Sequence, residues 1–101
     1  MEAEIWTYEF WTDETDGEKL KKRYEALLLK SGFCLVGFTE FEFKPHGYTC
    51  VWIVAESHFA IHTFPEERKT FCQLSSCNYE KFLCFKRMEK RHRGKKKKSS
   101  K

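Results

Sequence analysis

Residues 48–64 read YTCVWIVAESHFAIHTF, and this stretch decides the fold. Its first part, 48–55, is apolar and β-branched, the composition of a buried strand. Its last part, 58–64, is a further strand, stopped by Pro65, which has no N–H to add to a ladder. Glu56 and Ser57 stand between the two, where the chain has to bend. Upstream, Lys44-Pro45-His46-Gly47 is a turn, and residues 33–43 are β-rich, with strict alternation in GFTEFEF. Before them, residues 18–30 carry Leu20, Tyr24, Leu27 and Leu28 at helical spacing, and Ser31-Gly32 ends that helix. Residues 13–17 form a turn with helix-capping character, and 4–12, EIWTYEFWT, alternate as a strand. Downstream, 70–74 is a short strand. Residues 78–91 carry Phe82, Phe85 and Met88 three apart and read as a second helix. The order β-α-β-β-β-β-α predicts an α+β fold, a two-layer arrangement of an antiparallel sheet with two helices on one face. Residues 1–93 are expected to be one domain, and 94–101, GKKKKSSK, a disordered Lys-rich tail.

A chain of 101 residues buries one core but has little interior for a deep pocket. A site for a bulky substrate then belongs at a dimer interface. Aromatic residues make up 17% of the chain, enough to fill the core and also to line a pocket for a flat or cationic ligand. The net charge of +4 hides a division: residues 86–101 hold ten Lys or Arg and one Glu, or +9, which leaves −5 for residues 1–85. An acidic body with a basic tail differs from a uniformly basic nucleic-acid binder. The sequence has no run of about 18 apolar residues, and its start, MEAEIWTYEF, is acidic where a signal peptide is basic and then apolar. A cytoplasmic location is expected. The five cysteines, Cys34, Cys50, Cys72, Cys77 and Cys84, are odd in number and irregularly spaced, so they are expected to be reduced and mostly to act as small core hydrophobes.

The run 55–66, AESHFAIHTFPE, sets one Ser, two His and two Glu into an apolar stretch. Buried polar groups are costly unless paired, so the simplest reading puts them on the solvent face of an edge strand. Zinc binding by His58, His62, Cys72 and Cys77 fails on distance: strand residues four apart are separated by roughly 13 Å. No metal is expected. Parity adds a constraint, since Ser57 and His62, five apart, face opposite ways on a regular strand and meet only if the chain bends or breaks at Glu56-Ser57. A Ser at such a bend, with a His nearby, has the parts to attack its own backbone carbonyl.

The run 56–66, ESHFAIHTFPE, resembles the self-processing motif of prokaryotic S-adenosylmethionine decarboxylases, in which Glu-Ser-His is followed by Ile-His-Thr, an aromatic residue and Pro-Glu. In that pattern a Cys follows 20 residues after the Ser, where Cys77 stands, and Phe43-Lys44-Pro45-His46-Gly47 matches the family's Phe-x-Pro-x-Gly turn. The likeness covers about residues 4–90 and is strongest over 43–77. It implies self-cleavage between Glu56 and Ser57. Ser57 would become a covalent pyruvoyl cofactor that forms a Schiff base with the substrate amine. His62 would be the processing acid/base, Thr49 a supporting hydroxyl, and Cys77 the proton donor to the substrate carbon. Phe43 would stack on adenine, Glu66 would accept the ribose hydroxyls, and Tyr8 and Glu9 would lie near the substrate. The implied function is decarboxylation of S-adenosylmethionine to supply the aminopropyl donor for spermidine, by a homodimer of cleaved protomers paired as a four-layer αββα sandwich.

Some features depart from the family pattern. Its members continue past the second helix into a further strand, so the sheet here is expected to lack an edge strand. Asn78 replaces the usual Gly after the Cys, and Glu67-Arg68-Lys69 makes the pocket floor more polar. A pyruvoyl-dependent decarboxylase of ornithine or arginine on the same fold is therefore the alternative substrate reading. A reading of another class is an unprocessed regulatory homologue, or one that binds nucleic acid nonspecifically through its basic tail.

Overall fold

A computed structural model of the chain, described over residues 4–99, shows five strands and two α-helices. In chain order they are β1 (Trp6–Thr12), α1 (Gly17–Lys30), β2 (Leu35–Glu42), β3 (Tyr48–Val54), β4 (Ser57–Phe64), β5 (Lys69–Ser76) and α2 (Tyr79–Ser99), with a short 3-10 turn, Pro65–Glu67, between β4 and β5. The strands form one antiparallel sheet in the order β1-β5-β4-β3-β2. The α+β architecture expected from the sequence is therefore present.

Local chemistry sets the element ends. Asp16 caps α1 by accepting from the Glu18 N–H at 3.0 Å. Gly32, at φ 95°, ends it, and the Phe33 N–H returns to the Leu28 carbonyl at 3.1 Å. Leu20, Tyr24 and Leu28, four residues apart, form its buried stripe. They meet Phe82 and Phe85 of α2 and the inward residues of the sheet, among them Phe10, Trp52, Phe59 and Leu74. Both helices thus cover one face. Truncating Trp52 or Phe59, each 0% exposed, to Ala is expected to cost about 3–5 kcal/mol.

The other face is uncovered in the chain. Register places Phe41, Thr49, His62, Phe71 and Trp11 in one row across it, one residue from each strand. Trp11 stacks obliquely with Phe71 at 5.1 Å and with Phe64 at 5.9 Å. Phe41, Ile53, Phe64 and Trp11 are among the exposed large apolar side chains.

The stretch 94–101, expected as a Lys-rich tail, falls mostly on α2, which continues through Gly94 to Ser99. Residues 100 and 101 lie outside the described residues.

Candidate active site

Ser57 opens β4 at the tip of the β3–β4 hairpin. Val54 pairs with Ser57, so Ala55 and Glu56 alone make the connection. The two-residue turn forces Glu56 into the left-handed region, at φ 62°. Ser57 pairs with Ser76, the last residue of β5, and its hydroxyl donates to Ser76 Oγ at 2.8 Å. Ser76 is 1% exposed. Cys77 follows directly and is an exposed, free thiol at the same end of the sheet. The structure thus brings Glu56, Ser57 and Cys77 together at one tip.

A second group lies toward the other end of the strands. His62 and Thr49 pair across β3 and β4 on the open face, with His62 Nδ1 3.2 Å from Thr49 Oγ1. Phe43 follows β2, half exposed, edge-on to Phe41 at 4.9 Å. Glu66 follows β4 and is held by His46 of the Lys44-Pro45-His46-Gly47 turn. A cavity of about 420 Å³ opens here, lined by Asp16, Glu42, Phe43, His46, Tyr48 and Pro65 among others.

The two groups do not meet within one chain. β4 is in regular register from Ser57 onward, so Ser57 and His62 face opposite sides and lie roughly 16 Å apart along it. Glu9 is on the open face, where it accepts from Gln73 Nε2 at 2.6 Å. Tyr8, expected near the substrate, lies on the opposite face from Glu9. It is 7% exposed on the helix side, where its hydroxyl donates to Glu89 and accepts from Arg93 Nη2 at 2.9 Å. Burial, then the Glu89 carboxylate, pushes the Tyr8 hydroxyl pKa up. Glu89 is itself 1% exposed and lies 2.7 Å from Arg93 Nε, an ionic contact without an aligned hydrogen bond.

Burial separates the cysteines. Cys50 and Cys72 are in the core, and desolvation raises both thiol pKa values, that of Cys50 to about 11. Cys34, Cys77 and Cys84 are exposed. Among the described residues, no group of three or more His, Cys, Asp or Glu could hold a metal ion. Sequence reasoning did not single out two residues at the site, Ser76 and His46. Ser76 is visible only through the register of β4 on β5. His46 lay inside the recognised turn but had no partner until the 3-10 turn brought Glu66 to it.

Comparison with known proteins gives a consistent picture. A family model described as S-adenosylmethionine decarboxylase matches residues 7–98. The S-adenosylmethionine decarboxylase proenzyme of Symbiobacterium thermophilum is 39% identical over 56 residues, 55% of this chain and 42% of that protein. That of a Geobacillus species is 32% identical over 77 residues, 76% of this chain and 61% of that protein. The chain therefore spans 42% to 61% of the length of these relatives. The crystal structure of the adenosylmethionine decarboxylase from Aquifex aeolicus matches with a TM-score of 0.61 at 22% identity, covering 80% of this chain and 73% of that one, which shows a shared fold.

Proposed function

Because the chain belongs to the S-adenosylmethionine decarboxylase family, we propose that it is a self-processing, pyruvoyl-dependent decarboxylase of S-adenosylmethionine, whose product is the aminopropyl donor for spermidine synthesis. One observation carries this reading. Ser57 sits at a two-residue turn behind a left-handed, non-glycine Glu56, with Cys77 at the same tip. A left-handed Glu costs about 1–3 kcal/mol, strain that cutting the chain at this point would release.

The residues fit the proposed cleavage. The Ser57 hydroxyl attacks the Glu56 carbonyl carbon through a five-membered ring. The C–N bond breaks, the hydroxyl proton ends on the freed amine, and an ester replaces the amide. Loss of the Ser57 α-proton then expels the Glu56 carboxylate and leaves a dehydroalanine. Water replaces its amine as ammonia, and residues 57–101 begin with a pyruvoyl group. That ketone supplies an electron sink for the carbanion left when CO2 departs. Cys77, a weak acid at the same tip, returns a proton to the substrate carbon.

The separation of Ser57 from His62 argues for a homodimer. The open face, with Trp11, Phe41, Ile53 and Phe64 exposed, is the kind of apolar surface that marks an interface. Two copies packed face to face, with a two-fold axis across the strands, make a four-layer αββα sandwich. The Ser57–Cys77 tip of each copy then approaches the Thr49, His62, Phe43 and Glu66 end of its partner. Phe43 offers a ring to adenine and Glu66 a carboxylate to the ribose diol. Among the described residues no helix is long and apolar enough to cross a membrane.

The intact mass of purified protein tests the core of this reading. We expect two fragments, 1–56 and 57–101, the second blocked by pyruvoyl, and a single chain for Ser57→Ala. Wild-type protein that stays whole after long incubation under reducing conditions would refute it.

A further inference from the structure

We propose that Ser76 is a positioning residue for self-cleavage, holding the Ser57 hydroxyl in the rotamer from which it attacks the Glu56 carbonyl. This rests on the self-processing reading above. A serine hydroxyl has three staggered positions, and attack on the preceding carbonyl requires the one that closes the five-membered ring. In the structure the choice is made from across the ladder: the Ser57 O–H donates to Ser76 Oγ at 2.8 Å.

Ser76 is equipped to hold that position. It is 1% exposed, so water does not compete for the contact. Its own hydroxyl is fixed from the other side, accepting from the Asn78 N–H at 3.0 Å and donating to the Asn78 carbonyl at 3.2 Å. Asn78 in turn caps the start of α2, its Oδ1 accepting from the Lys81 N–H at 3.0 Å. The nucleophile is thus tied to the start of α2 and not only to its own turn. A chain Ser57 to Ser76 to the Asn78 carbonyl ends on a group too weak to take a proton. Ser76 therefore orients the hydroxyl, and the proton passes to the Ser57 amide nitrogen as the C–N bond breaks.

The test compares the rate of appearance of fragments 1–56 and 57–101 in freshly made wild-type, Ser76→Ala, Ser76→Thr and Asn78→Ala proteins, with and without hydroxylamine. Hydroxylamine cuts an ester but spares an amide, so it reports whether the first step has occurred. Ser76→Ala is expected to cleave about tenfold more slowly, the effect of one lost orienting hydrogen bond, and hydroxylamine should not restore the rate. Ser76→Thr keeps the hydroxyl and should recover most of it. Asn78→Ala weakens the α2 cap but leaves both backbone contacts to Ser76, so it should slow cleavage less than Ser76→Ala does. Equal cleavage in Ser76→Ala and wild type would overturn the role of Ser76, as would hydroxylamine rescue of Ser76→Ala. Equal slowing in Asn78→Ala would also overturn it, by showing that only the helix start matters. Uncleaved wild-type protein would instead remove the self-processing reading on which the proposal rests.

Discussion

Ser57 and His62 lie five residues apart on β4 and face opposite sides of the sheet, Ser57 toward Ser76 beneath the helices and His62 toward Thr49 on the open face. On the proposed roles, a nucleophile at Ser57 and an acid/base at His62 so placed cannot serve each other within one chain. If the site is shared between two copies, each defect can be supplied by the partner. Ser57→Ala and His62→Ala proteins are each expected to remain whole when made alone. Co-expressed, they should form mixed dimers in which the His62→Ala chain is cut, because it keeps its own Ser57 and meets the partner's His62. Mass spectrometry reads which chain is cleaved. No cleavage in purified mixed dimers would rule out the shared site.

Processing and turnover should separate at Cys77. It follows Ser76, the pairing partner of Ser57, at the same end of the sheet, and no hydrogen bond joins it to Ser57, so Cys77→Ala should still yield fragments 1–56 and 57–101. Its decarboxylation rate should fall by about 10²–10⁴, the usual effect of losing a positioned proton donor. Cys77→Ser, a far poorer acid, should be nearly as slow. Brief alkylation of the native protein, read by mass, should label Cys34, Cys77 and Cys84 and spare the buried Cys50 and Cys72. Full activity in Cys77→Ser would end the proton-donor assignment.

Much of this arrangement was legible because strand parity is strict. Alternation in residues 4–12 and 37–43, the apolar run 48–55 and the Pro65 stop marked β1 to β4, and the spacing of Leu20, Tyr24, Leu27 and Leu28 marked α1, whereas only residues 70–74 of β5 were read as strand. The same parity already held Ser57 and His62 on opposite faces. What could not be read was long-range register. Tyr8 follows the inward parity of β1, yet its burial against Glu89 depends on where α2 crosses the sheet. The pairing of Ser57 with Ser76, and of His46 with Glu66, joins residues about twenty apart through loops whose path is not periodic. The C-terminal end of α2 falls in the lysine run, which has helix propensity but no apolar spacing to mark a helix in the sequence.

The left-handed Glu56 should be detectable as strain in the uncut chain. In a Ser57→Ala background, which cannot process, Glu56→Gly should raise stability by about 0.5–1 kcal/mol, since glycine adopts φ 62° without steric cost. Urea unfolding monitored by tryptophan fluorescence measures this. Lower stability in the glycine variant would show that the turn carries no strain.

Stability should fall in alkali. The Cys50 thiol ionises near its ordinary 9.0 in the unfolded chain but near about 11 when folded, because burial disfavours the thiolate. Between those values the unfolded chain has lost a proton that the folded chain keeps. Stability from this group is therefore complete below pH 9 and declines as pH rises toward 11. Tyr8, Tyr24 and Tyr48 are shifted in the same direction, in each case chiefly by burial. Thermal unfolding from pH 8 to 11 should show a falling Tm, about 4–8 °C for each kcal/mol lost. Cys50→Ala should flatten that decline, and an unchanged slope would show that this thiol does not contribute.

The substrate should be a nucleoside rather than a free amino acid. Phe43 presents an exposed ring at the edge of the cavity, and His46 holds the Glu66 carboxylate that would accept two ribose hydroxyls. Neither feature serves ornithine or arginine, although Asp16 and Glu42 in the same cavity offer carboxylates to a distal cation. Phe43→Ala should weaken binding of S-adenosylmethionine by about 1–3 kcal/mol, the scale of one base–aromatic stack. Glu66→Gln should mainly raise KM and leave kcat little changed, because the ribose is held alike before and during loss of CO2. Carboxyl-labelled S-adenosylmethionine, ornithine and arginine, supplied separately to the processed protein, decide the substrate by released CO2. Release from a basic amino acid but not from S-adenosylmethionine would overturn the nucleoside assignment and make the Asp16–Glu42 side of the cavity the recognition element.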